Sequence, residues 1–436
     1  MDLHWHWPNL LSWLSHHGMD VANLNVEPRL TSGGFGLFTL KSCPPSSPLF
    51  TVPGSTMMNI RTLSPHYPPG LTAVQLISLH LLLHRPEKDQ TSLDPLFGPY
   101  IDSLPSDFDY HPLMRLTREG ETFLDLLPPS SVVALEKLAN RFHTDLEVIR
   151  NYLHSHADVV KSSSRSRFDA RIDGDQLQSE YLWAWLNVNT RCIYHRLTKS
   201  RSDPDNLTLC PILDFANHTS QPIHIELNPS CNKIGSSGKG IRFSVLSPKI
   251  TVDGGKEVFL TYGAHCNRVL FVEYGFVIPS TSGDCIVEVQ VDDIVEKLFA
   301  KKKLVGTLML DTLQTENYYK DWTIHYHQGS AYPSYRLVTA LRLYELMLKG
   351  SIPPNYEELI QPWRLTLSGM QDEVSVENEN AWKETLSNIC CAMINRTENW
   401  FKIRKDAGFD IETLWREEKY VSQRVLDSIE NGENLV

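Results

Sequence analysis

Along this chain, strand-like sequence gives way to a long helical block and then resumes. Residues 30 to 60, beginning "LTSGGFGLFTLKSCPPSSPLFTVP", read as two short strands around a loop, with glycines at the entry and prolines marking the turn between them. From about 70 to 160 the apolar spacing becomes helical: "LTAVQLISLHLLLHR" is apolar nearly all round, and "SSVVALEKLANRFHTDLEVIRNYL" opens on serine and keeps a three-four repeat. The stretch "SEYLWAWLNVNTRC" carries the helices to about residue 190, after which "LTLCPILDFA", "IHIEL", "IRFSVLS" and "KEVFLTYG" return to strand chemistry in short pieces. This pattern predicts an α+β protein in which helices are inserted within a β fold. From roughly 290 onward helices dominate again, the clearest being "SYRLVTALRLYELMLKG", with Ser334 as N-cap, Leu337, Leu341, Tyr344 and Leu348 on one face, and Gly350 as the stop.

A chain of 436 residues needs no staples to bury a core, and its composition is that of an ordinary globular protein, 41% hydrophobic and 21% charged. Disorder is expected only in the last residues, "ENGENLV". A net charge of −11, with basic stretches that are short and interrupted by acids, argues against direct binding to nucleic acid. Cysteines at 43, 192, 210, 231, 266, 285, 390 and 391 form no CxxC pair and no disulfide framework, which predicts a reducing compartment, cytoplasm or nucleus. The N-terminal "MDLHWHWPNLLSWLSHHGMD" lacks the basic start and clean apolar stretch of a signal peptide, and no run reaches the length of a membrane span.

"ILDFANHT", residues 212 to 219, crowds Asp214, Asn217 and His218 into one turn behind an apolar run. A metal site there lacks a second His/Asp/Glu pair at helical or hairpin spacing, and no residue is assigned to a metal. A serine hydrolase lacks its GxSxG elbow, since "GSSGKG" at 235 to 240 has the wrong frame. "NHT" spells a glycosylation acceptor, which without a secretory signal is a chance match. An Asx-type turn closing a buried strand explains the polar residues as well as any function does. "SGGFGLF" lacks the third glycine and the following helix of a dinucleotide fingerprint, which leaves a glycine turn between strands. In "GGKEVFLTYGAHCNRVLFVEYGFVIP" two tyrosines, Tyr262 and Tyr274, each precede a glycine, with Asn267 between them.

Taken together and in this order, "GGFGL", "WAWLNVNTRC", "ILDFANHT", "EVFLTYG" and "NRVLFVEYGFV" resemble the SET-domain protein methyltransferases. The nearest branch is the Rubisco large-subunit methyltransferase class, in which a helical insertion splits the SET domain and a helical substrate-binding domain follows it. The resemblance implies a SET β-fold with a knot-like C-terminal segment over 20–280, split by an insertion at about 70–185, and an all-helical C-terminal domain over 290–436. It implies S-adenosyl-L-methionine as cofactor, held by the backbone of Gly33, Gly34 and Phe35 and by Arg191, Asn217, His218 and Tyr262. Thr190, Arg191, Asp214 and Tyr274 are implied to line the channel for the acceptor, with Tyr262 and Tyr274 as the catalytic tyrosines. Phe35 departs from the residue many relatives carry between the glycines, which a backbone contact tolerates. Only Cys285 follows the core where the histone-type subclass has a cysteine cluster, and that absence suits this branch.

The activity implied is methylation of a lysine on a non-histone protein, with ribosomal, translational or metabolic proteins all suited as substrates. Methylation of histidine is the nearest alternative, and a catalytically silent SET-like binding module the second; retention of Tyr262, Asn217, His218 and Arg191 speaks against the latter. The motifs carry no obvious general base, although His218 and His265 stand close to them in sequence.

Overall fold

The computed structural model of the chain describes residues 6–31, 33–87, 90–161, 163, 175–228, 242–279, 286–346, 354–404 and 406–435. It divides into two compact units, one of residues 1–114 with 137–264, the other of residues 115–136 with 265–436.

Among the described residues the first unit holds nine short strands: β1 (Val26–Thr31), β2 (Gly34–Thr39), β3 (Pro48–Pro53), β4 (Met58–Asn59), β5 (Ile193–Tyr194), β6 (Leu207–Leu209), β7 (Glu226–Leu227), β8 (Arg242–Leu246) and β9 (Glu257–Val258). They form three antiparallel sheets in the orders β1-β2-β9, β3-β8-β7 and β4-β6-β5. Each sheet begins before the helical block and is completed after it, as with Leu37↔Val258 and Phe38↔Glu257 between β2 and β9. The helices between Ala73 and Arg191 thus lie, in sequence, between strands of the same sheets. Its helix Ala73–His84 starts on a capping box between Thr72 and Gln75 and buries every residue but Val74, which is why the sequence shows no polar face. It packs against the helix Asp175–Arg191, and Asp145 accepts hydrogen bonds from Gln75 (2.8 Å) and Trp185 (2.9 Å), tying three helices of the insertion together.

The second unit is not all helical, which corrects the expectation for 290–436. Helices Asp292–Lys301, Leu304–Thr315, Tyr335–Glu345, Val376–Ile403 and Phe409–Glu430 share it with an antiparallel sheet of β10 (Val287–Gln290), β11 (Thr323–His327) and β12 (Ser330–Pro333). The β11–β12 loop is the pair Gln328–Gly329, both at positive φ (51° and 88°), the two-residue geometry that matches strand twist. Ile324 and Tyr326 face inward while Thr323, His325 and His327 do not, an alternation of aromatic and imidazole rings with little hydropathy contrast. The core gathers Phe299, Trp322, Trp363 and Trp382, each fully buried.

Ser334 caps its helix as expected, accepting from Leu337 N, and Leu337 and Leu341 are fully buried. Leu348, the Gly350 stop, "GSSGKG" and Cys285 lie outside the described residues. The tail expected to be disordered is docked: Leu435 is 5% exposed against the second core, and Ser428 Oγ donates to Glu433 (2.7 Å). One apolar residue with a pocket outweighs the polar composition around it. Among the described residues no helix is long and apolar enough to cross a membrane.

Candidate active site

After β6 the chain passes through Ile212 at φ 69°, ψ −48°, a fully buried β-branched residue in a conformation such residues avoid. The strained residue starts a single 3₁₀ turn, Leu213–Phe215, from which Ala216, Asn217 and His218 run parallel to residues 257–262. Leu260 N donates to Asn217 O (2.8 Å), and Thr219 N donates to Leu260 O (3.0 Å). Side chains repeat the link: Tyr262 N donates to His218 Nδ1 (3.0 Å), and the Tyr262 hydroxyl donates to Ala216 O (3.0 Å). With Nδ1 accepting, a neutral His218 carries its proton on Nε2.

Inside the turn lies Asp214, its side chain 3% exposed. The Tyr100 hydroxyl donates to Asp214 Oδ2 (3.2 Å), while Arg191 Nη1 donates to Asp214 O (2.6 Å) and stands 3.8 Å from Oδ2. Arg191 ends the helix Asp175–Arg191, where a cation suits the helix dipole, so the insertion delivers the guanidinium to the turn. Burial pushes the Asp214 carboxyl up to about 6, against the opposing pull of Arg191 and the Tyr100 hydrogen bond. Burial and the Asp214 charge raise Tyr100 well above the usual phenol range, which keeps it a donor. Asp214 Oδ1 is buried with no hydrogen-bond partner among the described residues, a vacancy suited to a cationic or hydrogen-bonding ligand group.

The glycine hairpin closes a second side. Phe35 meets Phe215 edge to face at 6.4 Å, which brings the β1–β2 turn to the Asp214 turn. A side-chain carbon added at Gly33 or Gly34 would meet no atom within 4 Å, so protein leaves open space over that backbone. Gly36 is the close approach: a Cβ there would lie 2.2 Å from Glu257 Oε1 and 3.0 Å from Asn217 Nδ2. Asn217 Nδ2 in turn donates to Glu257 Oε1 (2.8 Å). Thr190 is spent locally, its hydroxyl donating to Leu186 O (2.7 Å) within its own helix.

Gly33, Gly34, Phe35, Thr190, Arg191, Asp214, Asn217, His218 and Tyr262 thus all belong to the first unit, whereas Tyr274 belongs to the second. Tyr274 ends the helix Asn267–Tyr274, is raised in pKa by burial, and packs near Phe276 (6.3 Å) and His265 (6.1 Å). Asn267 is a structural clamp, holding Ile278 by two hydrogen bonds and donating to Glu417 Oε1 (2.6 Å). Both tyrosine–glycine pairs have a backbone reason, since Gly263 (φ 146°) and Gly275 (φ 84°) adopt conformations that favour glycine. Sequence reasoning missed Tyr100, Gly36 and Glu257. Glu257 stood at the head of "EVFLTYG", but nothing in the sequence says that it faces Asn217.

No family model matches the chain. It is 27% identical over 432 residues to human SET domain-containing protein 4, covering 94% of this chain and 88% of that protein. It is 25% identical over 359 residues to yeast (Saccharomyces cerevisiae) ribosomal lysine N-methyltransferase 2, covering 77% and 72%. The crystal structure of the SET domain of LSMT bound to lysine and AdoHcy superposes with a TM-score of 0.66 at 18% identity, over 99% of this chain and 92% of that one. The chain is thus similar in sequence to SET-domain proteins and has the fold of the Rubisco LSMT SET domain.

Proposed function

We propose that this protein is an S-adenosylmethionine-dependent protein-lysine N-methyltransferase acting on a non-histone protein. The observation that carries the reading is the convergence of Tyr262, Asp214, Arg191, Asn217 and His218 on two parallel segments beside an uncovered glycine turn. The backbone of Gly33 to Phe35, with Arg191, Asn217, His218 and Tyr262, would hold the cofactor; Thr190, Asp214 and Arg191 would line the acceptor channel. When bound, the cofactor would supply a methyl group from its sulfonium to the acceptor nitrogen. Little net charge is created, so alignment supplies much of the effect, and well-oriented reactants can offset roughly 7–11 kcal/mol of barrier. The Tyr262 proton is committed to Ala216 O, so its oxygen can accept weak C–H···O contacts that orient a methyl. A free lysine has a pKa of about 10.4, and entry into a desolvated channel beside a sulfonium lowers it, so no dedicated base is required.

A SET core over 20–280, split at about 70–185, and a substrate-binding domain over 290–436 belong to the same proposal, as do a cytoplasmic or nuclear setting and no direct contact with nucleic acid. Free thiols at all six described cysteines support a reducing compartment. Ribosomal, translational and metabolic proteins are the substrate classes to search. The test is calorimetric titration with S-adenosylmethionine, then radiolabelled methyl transfer into cell extract with amino-acid analysis. Tyr262→Phe should bind cofactor normally and lose most transfer, whereas Asn217→Ala should weaken binding itself by tenfold or more, about 1.4 kcal/mol. Equal activity in all three proteins would remove these roles. Methylhistidine in the labelled product would move the acceptor from lysine to histidine, and cofactor binding without any transfer would favour the silent module.

A further inference from the structure

The buried helix Ala73–His84 carries two imidazoles one turn apart on one face, His80 and His84, in an otherwise apolar setting. Asp94 meets them from the following loop: His80 Nε2 lies 3.1 Å from Asp94 Oδ2, His84 Nε2 lies 3.8 Å from Asp94 Oδ1, and the two rings are 4.6 Å apart. The three side chains are 1%, 7% and 1% exposed, and one donor atom from each falls within 4.8 Å of the others. Tetrahedral coordination at about 2.0–2.2 Å sets neighbouring donors roughly 3.3 Å apart, close to the 3.1 and 3.8 Å at which His80 and His84 meet the two Asp94 oxygens.

The surroundings look like an outer shell. The Tyr67 hydroxyl sits 2.7 Å from His80 Nδ1 and fixes the ring with Nε2 toward Asp94. Phe97 N donates to Asp94 Oδ2 (2.7 Å) and holds the carboxylate from the other side. Asp94 Oδ2 already takes the His80 and Phe97 contacts, which turns Oδ1 toward His84 Nε2 (3.8 Å).

We propose that His80, His84 and Asp94 bind one zinc ion, clipping the helix Ala73–His84 to the loop at 92–97. Two imidazoles and a carboxylate are a donor set of zinc's borderline class, and three protein ligands leave a fourth position for water. The clipped loop leads directly into the short helix Gly98–Ile101, whose Tyr100 donates to Asp214. The ion thereby anchors the residue that fixes the Asp214 carboxyl; that consequence rests on the proposed function, whereas the metal site does not.

The test is the metal content of the full chain, purified without a histidine tag and passed through gel filtration. With 17 histidines in the chain, surface binding needs a control, for which His16→Ala/His17→Ala, two exposed histidines at the end of the helix His6–His16, serves. About one zinc per chain is expected in the wild type and in that control, falling to near zero in His84→Asn. Equal zinc in His84→Asn and wild type overturns the site. Should His84→Asn fail to fold, the wild type carries the test, stripped with chelator and titrated with cobalt(II). The intense visible absorption of tetrahedral cobalt supports the proposal. A pale six-coordinate spectrum, or no binding of zinc or cobalt at all, reduces the cluster to a buried hydrogen-bond network. Neither readout depends on methyl transfer, so failure of the metal site and failure of the proposed function remain separable.

Discussion

Asp214 is a carboxyl group held where its charge is disfavoured. Its folded-state pKa of about 6 lies above the ordinary aspartate value, so between about pH 4 and pH 6 the folded protein binds a proton that the unfolded chain has released. Unfolding free energy therefore falls as pH rises through that window, by up to about 3 kcal/mol, and stays reduced above it. Asp214→Asn should flatten this part of the profile, read by urea denaturation from pH 4 to pH 8. If the stability difference between the two proteins is the same at every pH, Asp214 does not titrate as described. The ordinary alternative for this turn, a local Asx motif, explains its polarity but not a buried oxygen that has no partner among the described residues.

At the scale of elements, the glycine hairpin is defined by the glycine the motif reading passed over. Gly36→Ala in β2 drives a methyl into the Asn217–Glu257 hydrogen bond, and overpacking of this kind costs about 1–3 kcal/mol. Gly33→Ala points into open space and should change stability by no more than about 0.5 kcal/mol. Chemical denaturation of the two variants checks this, and matching losses would mean that β2 relaxes around the methyl. Elements with strong period were legible in the sequence: the all-round apolar helix at 73–84, the Ser334 cap, and the return to strands after the insertion. The β11–β12 hairpin was not, because His325, Tyr326 and His327 blur the inside–outside contrast on which a strand reading depends. Tyr100 was invisible for a different reason. It sits in a four-residue helix with no period of its own, and only the fold carries it to a turn 114 residues away. His80 and His84 stood at helical spacing throughout, but the apolar residues around them and an aspartate beyond the helix end gave no sign of convergence.

For the whole molecule, a cofactor that binds only the folded state adds its binding energy to stability. S-adenosylmethionine at a hundred times its dissociation constant should stabilise by about 2.7 kcal/mol and raise the melting midpoint by several degrees. Asn217→Ala, binding tenfold more weakly, should keep only about half of that increment at the same concentration, and a midpoint that does not respond in the wild type would count against the cofactor.

The sheet beneath the glycine turn is closed by residues made long after it begins: the Thr39 hydroxyl donates to Lys256 O, 217 positions further along. At about 5–20 residues per second a ribosome needs roughly 10–40 s to make that stretch. Throughout that interval β2 has one open edge, a row of unpaired amides and carbonyls that other chains can copy. The pairing of the Asp214 turn and the glycine hairpin with residues 257–262 is thus completed late in synthesis of the first unit. Its exposed strand is where a nascent copy of this protein most needs a chaperone, and where crowded synthesis would first lead to aggregation.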